Sequence, residues 1–327
     1  MKVGKVPESV LKRSVLKTIK TKRPEVLLGA GVGEDCTAVK LAEDEMLVLS
    51  TDPITGTTKD IGTLAIHITA NDLASSGAEP VGVLLTVLLP DGTEEEELRE
   101  MMTQMQKHCE DMNVQIMGGH TEVTRAVKQA LVSVTGVGKV KVGKMITTKG
   151  AKPGMDILVT KWIGLEGSSI IAKCKEEELL TRYPKKMIDT AKNFDSLLSV
   201  VKDGLVAAKY GVGAMHDITE GGIFGALWEM GEASGVGMEI ELLKIPVKQE
   251  TIEICEFFGI NPYELISSGS MLMAAEDGNG LVAELKKHGV MATIIGKATD
   301  SNDKVLINDD ERRFLEPPKT DELYKVV

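Results

Sequence analysis

Ile61–Pro80 reads IGTLAIHITANDLASSGAEP, and the reading of this stretch decides the first half of the chain. Leu64, Ile68 and Leu73 fall near one helical face, with Ala and Gly where close packing needs small side chains. The spacing predicts a helix beginning at Ile61. Within it, Asn71 and Asp72 stand in an apolar setting. An amide and a carboxylate there need partners, because burying them unpaired costs on the order of several kcal/mol. Local capping or pairing would satisfy Asp72, so its meaning depends on the company it keeps.

Four other acidic or Gly-rich islands are built in the same way. They are GVGEDCTAV (Gly31–Val39), STDPITG (Ser50–Gly56), GGHTEV (Gly118–Val123) and HDITEGG (His216–Gly222). Each adjoins an apolar run. A polyanion site with a divalent metal requires such elements. Carboxylates hold Mg²⁺, the metal bridges phosphates, and Gly lets backbone approach oxygen closely.

Composition narrows the classes. The 327 residues are 43% hydrophobic and 27% charged, long for one core, so two domains are the default. Aromatics make up only 3%, which requires an aliphatic, Met-rich core. A net charge of −11 argues against a broad nucleic-acid surface, whose main driving term is phosphate neutralisation. It does not forbid ATP, which binds through metal, backbone N–H groups and a few local cations. Cys36, Cys109, Cys174 and Cys255 are too widely spaced for a zinc framework or a disulfide scaffold, and free thiols fit a reducing compartment. The N-terminal MKVGKVPESV lacks a signal-peptide apolar core, and the longest apolar run, Val81–Leu89, is too short to span a bilayer. A soluble cytoplasmic protein, with neither nucleic acid nor membrane as partner, is the expectation.

Along the chain, an amphipathic helix is expected from Pro7 to about Lys20, with strands at Cys36–Leu41 and Met46–Thr51. After the Ile61 helix come a strand at Val81–Leu89 and a helix capped by Thr93, then a short strand, Val114–Met117, leading into GGHTEV as a loop. Ala130–Val140 reads as a strand. The turn-rich, basic Val142–Gly154 marks the boundary between domains at 1–145 and 146–327. In the second half, HDITEGG opens a helix over Gly222–Ser234, and Lys248–Phe258 and Pro262–Ser267 read as helices. Strand and helix alternate unevenly, so each half is expected to be an α+β layer structure rather than part of one doubly wound sheet.

Asp35, Asp52 and Asp72 are the candidate carboxylates for metal and phosphate, with Asn71 positioning. Turn capping competes for Asp52. In GGHTEV, Gly118 and Gly119 free the backbone while His120 and Thr121 offer side chains; His120 could bind metal, bond phosphate or move a proton, or be structural. Asp217 and Thr219 precede a helix N-terminus whose glycines would admit an anion, with N-capping as the plainer role. His67, His108 and His288 read as structural or solvated. Cys36 has no basic neighbour to activate it.

Together these islands resemble the superfamily of aminoimidazole ribonucleotide (AIR) synthetase, selenophosphate synthetase, thiamine-monophosphate kinase and the hydrogenase-maturation dehydratase, over nearly the whole chain. The shared pattern stands here as GEDCTAV, STDP, NDLASSGAEP, GGHTEV and HDITEGG, and NDLASSGAEP is its most specific part. The second half, from HDITEGG through CEFFGINPYELISSG, is most similar to the hydrogenase-maturation member. The resemblance implies two α+β domains, the first giving strands to a β-barrel shared across a homodimer. It also implies ATP in a cleft with Mg²⁺ on the acidic motifs, and phosphoryl transfer to an acceptor oxygen. Catalysis would fall to Asp72 and His120. Metal would fall to Asp35, Asp52 and Asp72, and nucleotide contacts to Asp35, Asp52, Asn71, Gly118, Gly119, Thr121, Asp217 and Thr219.

Three departures stand out. His120 replaces the acidic residue of G-G-[DE]-T. Glu220 replaces the basic residue expected in the second-half loop. The last cysteine is Cys255, while the dehydratase carries its modified group on a terminal cysteine. The expectation is therefore an ATP-dependent enzyme whose acceptor is a free small molecule or a partner's residue, with a mobile tail held extended by Pro317-Pro318. Alternatives are a thiamine-monophosphate kinase-like phosphotransferase, or a nucleotide-binding assembly partner without turnover.

Overall fold

The computed structural model describes residues 1–31, 34, 36–54, 60–317 and 319–327. Met1–Leu73 with Ala78–Met145 forms one compact unit, and Ala74–Gly77 with Ile146–Val327 a second.

The first unit opens with β1 (Gly4–Lys5) and α1 (Glu8–Val10). The helix continues as π-helix over Leu11–Leu16, where the Lys17 N–H reaches back five residues to the Lys12 carbonyl. It ends there, short of the expected Lys20. A small ladder, β2 (Val26–Leu28) and β3 (Ala38–Val39), precedes the main elements. These are β4 (Glu45–Ile54), α2 (Ile61–Ser75), β5 (Glu79–Leu89), α3 (Glu95–Asp111), β6 (Gln115–Val123) and β7 (Leu131–Lys141). The sheet order is β1-β6-β5-β7-β4, with β5 and β6 parallel and the other pairs antiparallel.

Two corrections come from local chemistry. The cap of α3 is Glu94, which forms a reciprocal capping box with Glu97, while the Thr93 hydroxyl bonds back to the Pro90 carbonyl. GGHTEV is not a loop: β6 runs through it, in register with β5 from Leu84↔Gly118 to Leu89↔Val123.

Alternation divides the sheet into two faces. Val83, Leu85, Val87, Val132 and Val134 are buried on the face that α2 covers. Nearly every residue of α2 is buried, more than the one apolar stripe read from the sequence. The opposite face carries Leu47 and Leu49, 48% and 59% exposed, with Thr51, Thr86 and His120.

The second unit contains β8 (Asp156–Thr160), α4 (Leu165–Cys174), α5 (Glu176–Leu179), α6 (Lys185–Lys192), α7 (Val201–Tyr210), β9 (Ala214–Asp217), α8 (Gly222–Ser234), β10 (Gly237–Glu241), α9 (Gln249–Phe258), β11 (Met271–Ala275), α10 (Gly278–Lys287), β12 (Ala292–Thr299), β13 (Lys304–Asn308) and β14 (Glu311–Phe314). Its sheet runs β14-β13-β10-β12-β8-β11-β9. Ile157, Val159, Leu272 and Ala274 pack with Ile223, Leu227 and Met230 of α8. Leu158, Met271 and Met273 pack the other way, with Ala207 of α7 and Leu281 and Leu285 of α10. Every residue of β11 is buried, which suits a strand covered on both faces.

The expected helix at Pro262–Ser267 does not form. The Asn261 side chain accepts the Tyr263 N–H at 3.1 Å, a local turn that competes with helix, and Leu265 drops into the core. The tail is not mobile either. Its closing 3-10 turn, Glu322–Lys325, seats Leu323 and Val326 against the cluster built by α4, α6 and α9. Asp321 and Glu322 are 3% and 4% exposed. Pro318 lies outside the described residues. Among the described residues, no helix is long and apolar enough to cross a membrane.

Candidate active site

Two of the expected carboxylates meet. Ser50 and Asp52 lie two residues apart on β4, so both side chains leave the same face of the sheet. Gly136, the partner of Ser50 on β7, lies under Thr69 and Leu73 of α2, which identifies that face as the covered one. Ser50 Oγ stands 3.3 Å from Asp52 Oδ2 and also donates to Asp72 Oδ2. One hydroxyl carries one proton, so it serves one carboxylate at a time. Two half-buried anions therefore face each other across a single neutral group. Pro53 sits beside them without breaking a ladder, because β4 is an edge strand.

Hard oxygen donors in this number suit Mg²⁺. That ion keeps several waters and is held by one or two carboxylates together with substrate phosphates. Among the described residues, no cluster of three His, Cys, Asp or Glu forms a metal cage. The pair fits the phosphate-assisted pattern instead. Asp35, the third expected carboxylate, lies outside the described residues. Asn71, next to Asp72 on α2, is buried at 1% exposure. Ser50 is the residue sequence reasoning passed over. Its signal was its position two before Asp52 in an extended segment.

The GGHTEV residues do not join this pair within one chain. His120 is in register with Thr86, and Thr86 with Ser133, on the open face of the sheet. Its Nε2 lies 3.2 Å from Glu122 Oε2. Gly119 and Thr121 share the covered face, but β6 is three strands from β4, about 14 Å at ordinary strand spacing. Gly119 has a packing reason to be glycine. Its φ is +144°, and a Cβ there would lie 2.0 Å from the Leu85 carbonyl oxygen. Gly118 is tight only against the Leu84 side chain, at 3.2 Å. Thr121 is buried, and its carbonyl accepts the Val6 N–H.

In the second unit, Asp217 ends β9 and is buried, and Thr219 follows in the turn into α8. The expected anion mouth is filled from within. The Gly221 N–H donates to Asp321 Oδ2 at 2.7 Å, the Gly222 N–H to the Thr219 carbonyl, and the Phe224 N–H to the Tyr263 carbonyl. Asp321 Oδ1 also accepts from the amides of Ile266 and Leu323. Glu220, which would repel a phosphate if turned inward, instead accepts from the Tyr324 hydroxyl. Against this turn lies Glu166, 3% exposed, whose Oε2 has no hydrogen-bond partner among the described residues. Burial pushes its carboxyl up to about 7, with Asp321 and Glu220 adding to the effect and contacts to Ser268 opposing it.

The thiols divide. Cys109 and Cys255 are buried, and burial pushes each up to about 12. Cys36 and Cys174 are exposed. His67 and His108 bond each other across α2 and α3 at 3.1 Å, in keeping with a structural role.

The description "AIR synthase related protein, N-terminal domain" matches residues 33–140, and its C-terminal counterpart matches residues 152–308. The chain belongs to the AIR synthase related family. Within that family, a Methanocaldococcus jannaschii protein provisionally named for hydrogenase expression and formation is 29% identical, the match covering 99% of this chain and 97% of its own. The carbamoyl dehydratase HypE of Cupriavidus necator is 30% identical over 78% of this chain and 73% of its own. Among solved structures, the hydrogenase maturation protein HypE in complex with ATP superposes with a TM-score of 0.82 at 21% identity, covering 99% of this chain and 97% of that one. A chain of the HypE–HypF complex gives 0.74 at 26%, covering 83% and 90%. The two α+β domains implied by the sequence motifs are those of AIR synthase related proteins.

Proposed function

We propose that this chain is an enzyme of hydrogenase-maturation type that uses Mg-ATP to phosphorylate an oxygen of its acceptor. The carrying observation is the meeting of Asp52 and Asp72 over Ser50, on the covered face of a fold shared with a HypE that binds ATP. Asp52 and Asp72 would hold Mg²⁺, which supplies charge neutralisation on the phosphates. Ser50 keeps both carboxylates at one point, and Asn71 fixes the adjoining turn of α2. An amide-type acceptor oxygen attacks the γ-phosphorus of ATP, ADP departs, and the phosphorylated oxygen becomes a leaving group. The name carbamoyl dehydratase, borne by a relative, describes a reaction that needs such activation. The acceptor is a small molecule or a residue of a partner protein, and the HypE–HypF complex supports the second source. His120 is left out of this constellation by its place on the opposite face.

The working form we propose is a soluble cytoplasmic homodimer. Leu47 and Leu49 lie exposed on the open sheet face, which a second copy would cover. A stable monomer in light scattering at micromolar concentration would count against it.

The test of function is calorimetric titration with Mg-ATP. Asp72→Asn should weaken binding by at least about tenfold, the loss of one charge-assisted contact, without unfolding the protein. Unchanged affinity would sink the assignment.

A further inference from the structure

The second unit holds a cavity of about 500 Å³ that none of the chemistry above uses. Phe224 and Gly225 of α8, Leu306, Leu315, Glu316 and Thr320 are among the residues that line it. Arg313 of β14 enters it on the side of Leu306, its register partner, with the guanidinium carbon 5.8 Å from the centre of the Phe224 ring. That is near the outer limit of a cation–π contact. Phe224 also stacks on Tyr263, with ring centres 5.2 Å apart and planes 8° apart.

The neighbouring cations are all engaged. Arg312 is paired with Glu239, Lys304 with Glu232, Lys319 with Glu316, and Lys325 with Glu322. The Arg313 guanidinium makes no ion pair or hydrogen bond with any described residue. An unpaired guanidinium beside Phe224, Leu306 and Leu315, on a cavity lined by polar and apolar groups alike, suits an anion with an apolar body.

We propose that this cavity binds a small organic monocarboxylate with an apolar body, its carboxylate on Arg313 and its body against Phe224, Leu306 and Leu315. Size excludes an inorganic ion as the intended occupant, since cavities of about 300–1,000 Å³ hold small molecules. Charge argues against a polyphosphate: Arg313 and Lys319 are balanced by Glu264 and Glu316, Lys319 is held by Glu316, and Arg313 is the one lining cation among the described residues without an ion pair. The filled amides at Gly221 and Phe224 leave Arg313 as the anchor. This site does not rest on the nucleotide reading, and it is measured without nucleotide.

The experiment is titration of the full chain, followed by calorimetry or NMR, with benzoate, acetate and inorganic phosphate. Benzoate should bind saturably, acetate at least about tenfold more weakly, and phosphate not at all. Arg313→Gln should cost benzoate at least about tenfold with the denaturation midpoint unchanged, and Arg313→Lys should retain part of the affinity. Equal benzoate affinity in Arg313→Gln overturns the proposal. So does phosphate binding as tightly as benzoate, or no saturable binding of benzoate, phenylacetate or hexanoate; Arg313 is then a solvated surface cation.

Discussion

In the first unit, Asp52 and Asp72 share one hydroxyl. In the second, the single carboxylate of Asp321 takes three backbone amides. Both regions involve acidic or Gly-rich islands of one kind, STDPITG and NDLASSGAEP in the first and HDITEGG in the second, but the acid that meets HDITEGG comes from the tail. The first brings two carboxylates to one hydroxyl, an arrangement that suits a cation. The second disperses charge into the backbone and closes the turn. What separates them is the kind of partner, a shared side-chain hydroxyl in one and backbone amides in the other.

The largest expected effect tests whether a glycine of the first region serves phosphate or packing. Gly119→Ala puts a Cβ 2.0 Å from a backbone oxygen at a φ favoured by glycine alone. We expect a loss of about 4 kcal/mol or more in urea unfolding, where strain and overpacking add. Near-normal stability with lost Mg-ATP affinity would instead restore Gly119 as a phosphate contact.

Asp321→Ala should cost about 3 kcal/mol, because the buried amides of Gly221 and Ile266 lose their acceptor. Hydrogen exchange should show the turn into α8 opening before the sheet of the second unit. If the tail fell away with no change at Gly221, the seat would be ornamental.

The third test is pH. The Glu166 carboxyl ordinarily titrates near 4.5 and in the fold is pushed up to about 7, chiefly by burial, with Asp321 and Glu220 on the same side of the balance. Asp321 is also raised, again first by burial. The folded state thus keeps a proton that the unfolded chain has lost. The stabilisation is complete below about pH 4.5 and falls away as pH rises through 7. Wild type should lose roughly 2 kcal/mol between pH 5 and 8 from Glu166, and Glu166→Gln should flatten that fall. Parallel profiles for the two proteins would remove Glu166 from the account.

Much of this was legible in the chain. The helix at Ile61 and the strands about it follow from spacing, and the family from the resemblance of NDLASSGAEP and its companion motifs. What stayed hidden depended on partners distant in sequence. Ser50 meets Asp72 because β4 pairs with β7 beneath α2. GGHTEV looks like a loop until β5 is placed beside it. HDITEGG looks open to an anion until Asp321, a hundred residues away, is seen on Gly221. The missing helix at Pro262 was within reach, since Asn before Pro favours a turn.

The smallest effect carries the sharpest contrast, because one substitution should act with opposite sign in the two regions. Asp→Asn keeps shape and removes charge. At Asp321 it replaces one acceptor with an amide that faces backbone donors, so stability must fall. At Asp52 the partner across Ser50 is another carboxylate, and removing one charge relieves repulsion. The Ser50 hydroxyl is then free to serve Asp72 alone. Without nucleotide, Asp52→Asn should raise stability by about 0.5 kcal/mol, the scale of a like-charge pair on a sheet, while Mg-ATP affinity falls. Urea midpoints with and without Mg-ATP decide it. Added Mg-ATP should shift the wild-type midpoint upward by mass action and the variant's far less. If Asp52→Asn were destabilising without nucleotide, the pair would be a structural hydrogen-bond node of the Asp321 kind. The first region would then lose its claim to be the one held ready for a cation.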